Sequence, residues 1–268
     1  MPSDISNSVP SFPRVWRGAW QDGQRILAEE SAIALSYNRV THAVMMATPG
    51  DLQDFATGFS LSEGIIESPA GIEDLAVVEV PGGAELRMWI PERLMVALET
   101  RRRRLAGATG CGMCGLESLA EALRPVPAVT AALRFTPADV MAAAASISAA
   151  QVLGQATRAV HAAGFWRPDR GLWAAREDVG RHNALDKLYG AMARGGQSAA
   201  EGILVLTSRL SIELIQKAAR MGAGVVVAIS APTALAVRAA ADCGITLAGI
   251  ARPDGFEVFC GMERLISP

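Results

Sequence analysis

The chain has 268 residues, half of them hydrophobic and 19% charged, so it can bury a large core and general disorder is excluded. Its formal net charge of -2 provides no basic field to recruit nucleic acid, and any anion binding has to be local. Four cysteines, Cys111, Cys114, Cys243 and Cys260, are too few for a disulfide scaffold of this length.

Residues 1–13 are rich in Ser and Pro and are expected to be disordered. No apolar h-region follows them, and no apolar run approaches the length of a membrane span. These features point to a cytoplasmic protein with reduced thiols, no membrane contact and no nucleic-acid partner.

"SAIALSYNRVTHAVMMAT" (31–48) reads as strands. "GDLQDFATGFSLSEGII" (50–66) reads as a helix with Asp51 as N-cap and Leu52, Phe55, Ala56 and Phe59 on one face. "LAVVEV" and "AELRMWI" flank a Pro-Gly-Gly turn and predict a hairpin. Pro91 opens a helix that runs into Arg101, Arg102, Arg103 and Arg104. Residues 124–137 carry three prolines and read as a linker, after which Thr136-Pro137-Ala138-Asp139 starts another helix.

Downstream, strands and helices alternate. "GLWAARED" (171–178) is a strand, followed by a helix over "DVGRHNALDKLYGAMAR". "GILVLTS" is a strand, and Ser208 is expected to cap the helix running to Met221. "AGVVVAIS", "GITLAGIA" and "GFEVFC" are further strands, with Pro232 opening a helix between the first two. Such alternation predicts parallel pairing with helices on the sheet faces. The expected divisions are a smaller α+β unit over residues 14–130, carrying the C-x-x-C, and an α/β layered domain over 131–268.

Four stretches carry chemistry. In "RRRRLAGATGCGMCGLESL" (101–119), Cys111 and Cys114 sit among Gly110, Gly112 and Gly115, six residues beyond the arginine run. A C-x-x-C supplies two of the four ligands zinc needs and no second pair exists, which disfavours a structural zinc within one chain and leaves a site shared across a dimer open. Three glycines suit a loop that swings a thiol between partners better than a rigid redox turn. The arginines are either a solvated charge run or a local field that depresses the Cys111 pKa and attracts an anion.

In "REDVGRHNALDKLYG" (176–190), polar density at a strand-to-helix junction is either an exposed helix laced with i,i+3 and i,i+4 pairs or a polar site at a sheet edge. His182 is a candidate proton carrier there. His42 and His161 each sit in an apolar run, and a core position is expected for His42. At "LTSRLSIELIQKA" (206–218), Ser208, Arg209 and Ser211 at a helix start offer a phosphate or ribose site, or simple capping. At "GIARPDGF" (249–256), Arg252 lies at a strand end beside a turn.

Together with "THAVMMATPGDLQDFATGFSLSEGII" and "SAPTALAV…CGITLAGIARPDGFEVF", these blocks resemble the formate dehydrogenase accessory sulfurtransferase family (FdhD) over about residues 25–265. The resemblance implies a persulfide carrier that accepts sulfur from a cysteine desulfurase. It would pass that sulfur to a molybdenum bis(molybdopterin guanine dinucleotide) cofactor, bound as substrate, on behalf of formate dehydrogenase. It also implies a cytidine-deaminase-like second domain, a homodimer, and GDP as a partial mimic of the cofactor. Cys111 would carry the persulfide and Cys114 would assist. Ile250, Ala251, Arg252, Pro253, Asp254 and Gly255 match the family's cofactor-binding segment and depart from its Lys-Pro-Gly-Arg type pattern at Asp254 and Gly255. Ser208, Arg209 and His182 are expected to join them on the cofactor, with no metal ligand in the chain. The rival reading is a cofactor chaperone that transfers no sulfur. Deaminase chemistry is disfavoured, because Ala163 stands where H-x-E needs its Glu.

Overall fold

The structure, a computed structural model, describes residues 6–105 and 127–266. It is a mixed α/β chain built on two principal sheets and a two-stranded ribbon. The ribbon pairs β1 (Ser6–Trp16) with β2 (Ala19–Ala28). Residues 6–13, expected to be disordered, are therefore in a strand. The physical reason is the turn: Arg17 and Gly18 both have positive φ (53° and 82°), the two-residue geometry whose twist matches a hairpin. A register shift between Val9 and Phe12 accommodates Pro10, which cannot donate to a ladder.

The first principal sheet has the order β4-β3-β6-β5. β3 (Ser31–Tyr37) and β4 (Val40–Ala47) form one hairpin, β5 (Asp74–Val80) and β6 (Gly83–Trp89) another, and β3 joins β6 in parallel. Strand alternation turns Ile33, Leu35 and Tyr37 inward with Leu86 and Met88. They meet Phe55 and Phe59 of α1 (Leu52–Ser62). Asp51 does precede α1, but it makes no side-chain cap; its φ is 54° and its carboxylate lies 3.5 Å from Arg176. Helix α2 (Glu92–Leu105) follows Pro91 and contains the four arginines, as expected.

The second sheet has six strands in the order β12-β11-β10-β9-β7-β8. β9 (Ile203–Leu206), β10 (Val225–Ala228) and β11 (Thr246–Arg252) are parallel. β7 (His161–Arg167), β8 (Gly171–Asp178) and β12 (Gly255–Cys260) run antiparallel to their neighbours, so the sheet is mixed. Both faces of β9 are buried: Ile203 and Val205 point to one side, Leu204 and Leu206 to the other. The first side packs on α3 (Pro137–Ala150), which Thr136 and Asp139 close with a capping box. A short helix, α4 (Val152–Thr157), follows it and meets β2. The other side packs on α5 (Arg181–Arg194), α6 (Ile212–Met221) and α7 (Ala234–Cys243).

Helices α1 and α5 join the two sheets. A Cβ on Gly58 would sit 1.7 Å from the carbonyl oxygen of Asp186, and one on Gly190 would sit 1.9 Å from that of Asp54. Only glycines permit this backbone approach. The layers therefore run α3, six-stranded sheet, α5–α6–α7, α1, four-stranded sheet. Residue 130, the expected division, falls in the segment between them. There Val129 donates to the Cys243 carbonyl, and Phe135 bridges to Leu265. No helix among the described residues is long and apolar enough to cross a membrane.

Candidate functional site

The C-terminal ends of parallel strands are where an open α/β sheet presents its loops. Here the loops after β9, β10 and β11 lie side by side. Leu210 donates to the Ala231 carbonyl at 3.2 Å, and Thr233 donates back to Leu210 at 2.9 Å. Ile250 donates to the Ser230 carbonyl at 3.1 Å. The start of β7 borders the same edge, with Ala162 donating to Thr207 Oγ1 at 2.8 Å.

Ser208 does not cap α6. Ser211 is the N-cap residue, and Ser208 is buried in the loop with its hydroxyl donating to the Arg209 carbonyl. Arg209 is exposed. The expected turn at Pro253 and Asp254 closes the β11–β12 hairpin between paired Arg252 and Gly255. Ile250 has φ 52°, a left-handed conformation that a β-branched residue adopts only under strain. The ladder shifts register between Gly249 and Arg252, so Ile250 and Ala251 form a bulge, a device common beside functional sites. Arg252 Nη1 donates to the carbonyls of Ile229 and Ala251, which pins the guanidinium to this edge.

The "REDVGRHNALDK" stretch is not an exposed, self-paired helix. Its polar groups are buried or half-buried, and most of them pair with other elements. Arg176 donates to Asp54 at 2.8 Å, and Arg194 reaches the same carboxylate at 2.6 Å. Glu177 accepts from the first amides of α4, Leu153 and Gly154. Asp178 pairs with Lys187 at 2.6 Å and accepts from the amides of Thr48 and Gly180. Asn183 donates to the Met46 carbonyl. Asp186 holds Lys217 at 2.8 Å, and Lys217 also donates to Ser62. Burial pushes the Asp186 carboxyl up, and Lys217 opposes that shift. Burial likewise pulls the Lys187 ammonium down, against Asp178.

With these partners assigned, Arg181 and His182 remain. Arg181 Nε and His182 Nε2 are buried without a hydrogen-bond partner. Burial first, then the cations of Arg181 and Lys217, lower the His182 pKa to about 4, so its ring is neutral at pH 7. Glu213, in the first turn of α6, faces them. Burial would raise its pKa, but Ser211, its own backbone and the neighbouring His182 and Arg181 outweigh that and leave it lowered. His161 lies within the field of Arg181 and Asp178, and burial followed by Arg181 pulls its pKa down. Glu213 was invisible in the sequence as a site residue. Its only signal was an acid in a helix first turn, four before Lys217, which reads equally as an i,i+4 pair.

The other thiols behave as core groups. Cys243 is buried at the end of α7 and Cys260 is half-buried in β12, with burial pushing both thiols up. His42 packs its ring against Tyr37 and Phe59. Cys111 and Cys114 lie outside the described residues, and among those residues no three metal-ligating side chains come together.

The fold and site define an α/β protein with polar side chains gathered at the strand-end edge of a mixed sheet. The sequence matches the FdhD/NarQ family over residues 28–266, and the chain belongs to that family. It is 48% identical over 262 residues to the sulfur carrier protein FdhD of Agrobacterium fabrum, covering 96% of this chain and 97% of that one. The protein of the same name from Brucella abortus is 50% identical over 248 residues, covering 92% of each. The fold matches a crystal structure from Desulfotalea psychrophila, assigned as a formate dehydrogenase accessory protein. That match has a TM-score of 0.74 and 24% identity, and covers 98% of this chain and all of that one.

Proposed function

We propose that the chain is a sulfur carrier serving formate dehydrogenase. Relatives at 48–50% identity carry the name sulfur carrier protein FdhD, and this observation supports the reading most strongly. In the proposed cycle the Cys111 thiolate attacks the terminal sulfur of a cysteine desulfurase persulfide. The S–S bond of the donor breaks, the donor leaves as a thiolate, and Cys111 holds the sulfur as a persulfide. The molybdenum bis(molybdopterin guanine dinucleotide) substrate would then take the terminal sulfur as sulfide, its metal giving up the two electrons as the S–S bond breaks, and the Cys111 thiolate returns. Cys114 assists as the neighbouring thiol.

The strand-end edge is the proposed seat of that substrate. It offers Ser208, Arg209, His182 and the 250–255 turn along one edge of the sheet. Pyrophosphates favour arginines and free helix-start amides. Membership of the family also supports a homodimer in the cytoplasm.

The deciding experiment is mass spectrometry after incubation with a desulfurase and cysteine. A gain of about 32 Da on the Cys111 peptide, lost in Cys111→Ala, is expected. An unlabelled protein that still restores formate dehydrogenase activity overturns the carrier and leaves a cofactor chaperone.

A further inference from the structure

Two surfaces far from the strand-end edge in sequence expose apolar side chains, and their charges are opposite. The first is the β1–β2 ribbon. Trp16 and Trp20 are 60% and 75% exposed beside its turn, with Val15 at 53%. Between Pro13 and Leu27 only Gly23 is buried. The ribbon meets the body of its own chain through β2 and α4. A two-stranded ribbon is marginal on its own, and Trp and Arg are the residues that most often anchor an interface. Its charge is one-sided, with Arg14, Arg17 and Arg25 against Asp22 alone.

The second surface is the outer side of the four-stranded sheet. Phe55 and Phe59 of α1 pack on the inner side, and strand alternation turns Ala34, Val44, Met46 and Val80 the other way. Val44, Met46 and Val80 are 61%, 51% and 41% exposed, so this face is open among the described residues. β5 ends the sheet and leaves one edge of its backbone without a neighbouring strand. Between Arg39 and Arg87 the sequence holds no lysine or arginine. Glu67, Glu73, Asp74 and Glu79, in β5 and just before it, stand exposed.

Two β5 strands cannot meet each other well, because their carboxylates would oppose like charge. The complement is extended, aromatic and basic, and the ribbon has that chemistry. We infer that the β1–β2 ribbon is an arm that docks on the acidic outer side of the four-stranded sheet of a second copy, at β5, while the second copy's ribbon docks in return. This rests on the homodimer reading and adds which surfaces meet. Pro10 and Pro13 cannot donate to a ladder, so the arm packs by its side chains rather than by extending the sheet. The exchange is self-complementary and closes on a two-fold axis. Two arms, each burying two tryptophans at about 150–250 Å² apiece and as much of the facing surface, reach roughly 1,200–2,000 Å², the range of a stable pair.

The test is sedimentation velocity of the full chain, with Tm measured to confirm that each variant is folded. The wild type is expected to be a dimer. Trp16→Ser with Trp20→Ser is expected to weaken it by about 100-fold or more. Arg17→Glu with Arg25→Glu, and separately Glu73→Lys with Glu79→Lys, are each expected to weaken it by at least about tenfold. Mixing the two charge-reversed proteins restores complementarity at both contacts, and a mixed dimer of wild-type strength is expected. If the wild type is monomeric, the homodimer reading falls and this assignment with it, and the ribbon belongs to its own sheet or to another protein. If the variants stay dimeric, the homodimer stands and the arm is overturned. Variants that are monomeric alone and stay monomeric when mixed also overturn it, because the arm then does not face β5.

Discussion

Lys187 Nζ and the Asp178 carboxylate lie 2.6 Å apart, and neither side chain exposes any surface to solvent. The pair is further tied to the first sheet, because Lys187 donates to the Thr48 carbonyl at 2.8 Å and Asp178 accepts from the Thr48 amide at 3.1 Å. One buried ion pair thus fastens the sulfur-carrier candidate's six-stranded sheet to its four-stranded one.

Removing one charge of such a pair strands the other in a low-dielectric interior. Lys187→Met is expected to destabilise the fold by roughly 3–5 kcal/mol. Replacing both partners, with Asp178→Asn added, is expected to recover part of that loss. Urea unfolding of the two variants and the wild type measures the difference. An unfolding midpoint unchanged in Lys187→Met would show that the pair contributes nothing.

The α1–α5 crossing depends on missing side chains. Gly58→Ala puts a methyl group 1.7 Å from the Asp186 carbonyl oxygen, so the two helices have to separate. The cost is expected to reach or exceed about 1–3 kcal/mol, the usual range for overpacking. It should appear as a lower Tm, and Gly190→Ala should behave alike. By contrast, Gly82→Ala meets no atom within 4 Å, and its cost comes only from its φ of 82°.

Stability should also depend on His182. Its folded pKa, about 4, lies below the ordinary 6.5, so the unfolded chain takes up a proton earlier as pH falls. This contribution is complete above about pH 6.5 and is lost progressively as pH drops towards 4. Its full size is on the order of 3 kcal/mol. His182→Asn does not titrate, so its urea midpoint should fall less between pH 7 and pH 4.5 than that of the wild type. Identical pH dependence in both proteins would count against a neutral, buried imidazole.

The Thr136 capping box gives a local test. Thr136 and Asp139 satisfy each other's backbone amides, at 2.8 and 3.1 Å. Thr136→Ala is expected to cost about 1 kcal/mol, measured by chemical denaturation.

The sequence by itself determined the order of strands and helices, because hydrophobic period, prolines and capping residues are local signals. β9 and β10 read as buried strands, and Thr136-Pro137 reads as a helix start, for reasons that need no neighbour. The five separated motif blocks likewise marked the family. Local signals could not reveal partners distant along the chain. Asp54 with Arg176, and Asp186 with Lys217, meet only when α1, β8, α5 and α6 are packed. For the same reason, the polar residues of 176–187 looked equally like a solvated helix face or a site. Tertiary structure separated the two by giving most of them partners and leaving Arg181 and His182 without a full set. It also moved the N-cap of α6 from Ser208 to Ser211, because the strand-end loop is held by the segment after β10. Residues 6–13, polar and proline-bearing by composition, became a strand because Arg17-Gly18 turns the chain back onto its own partner.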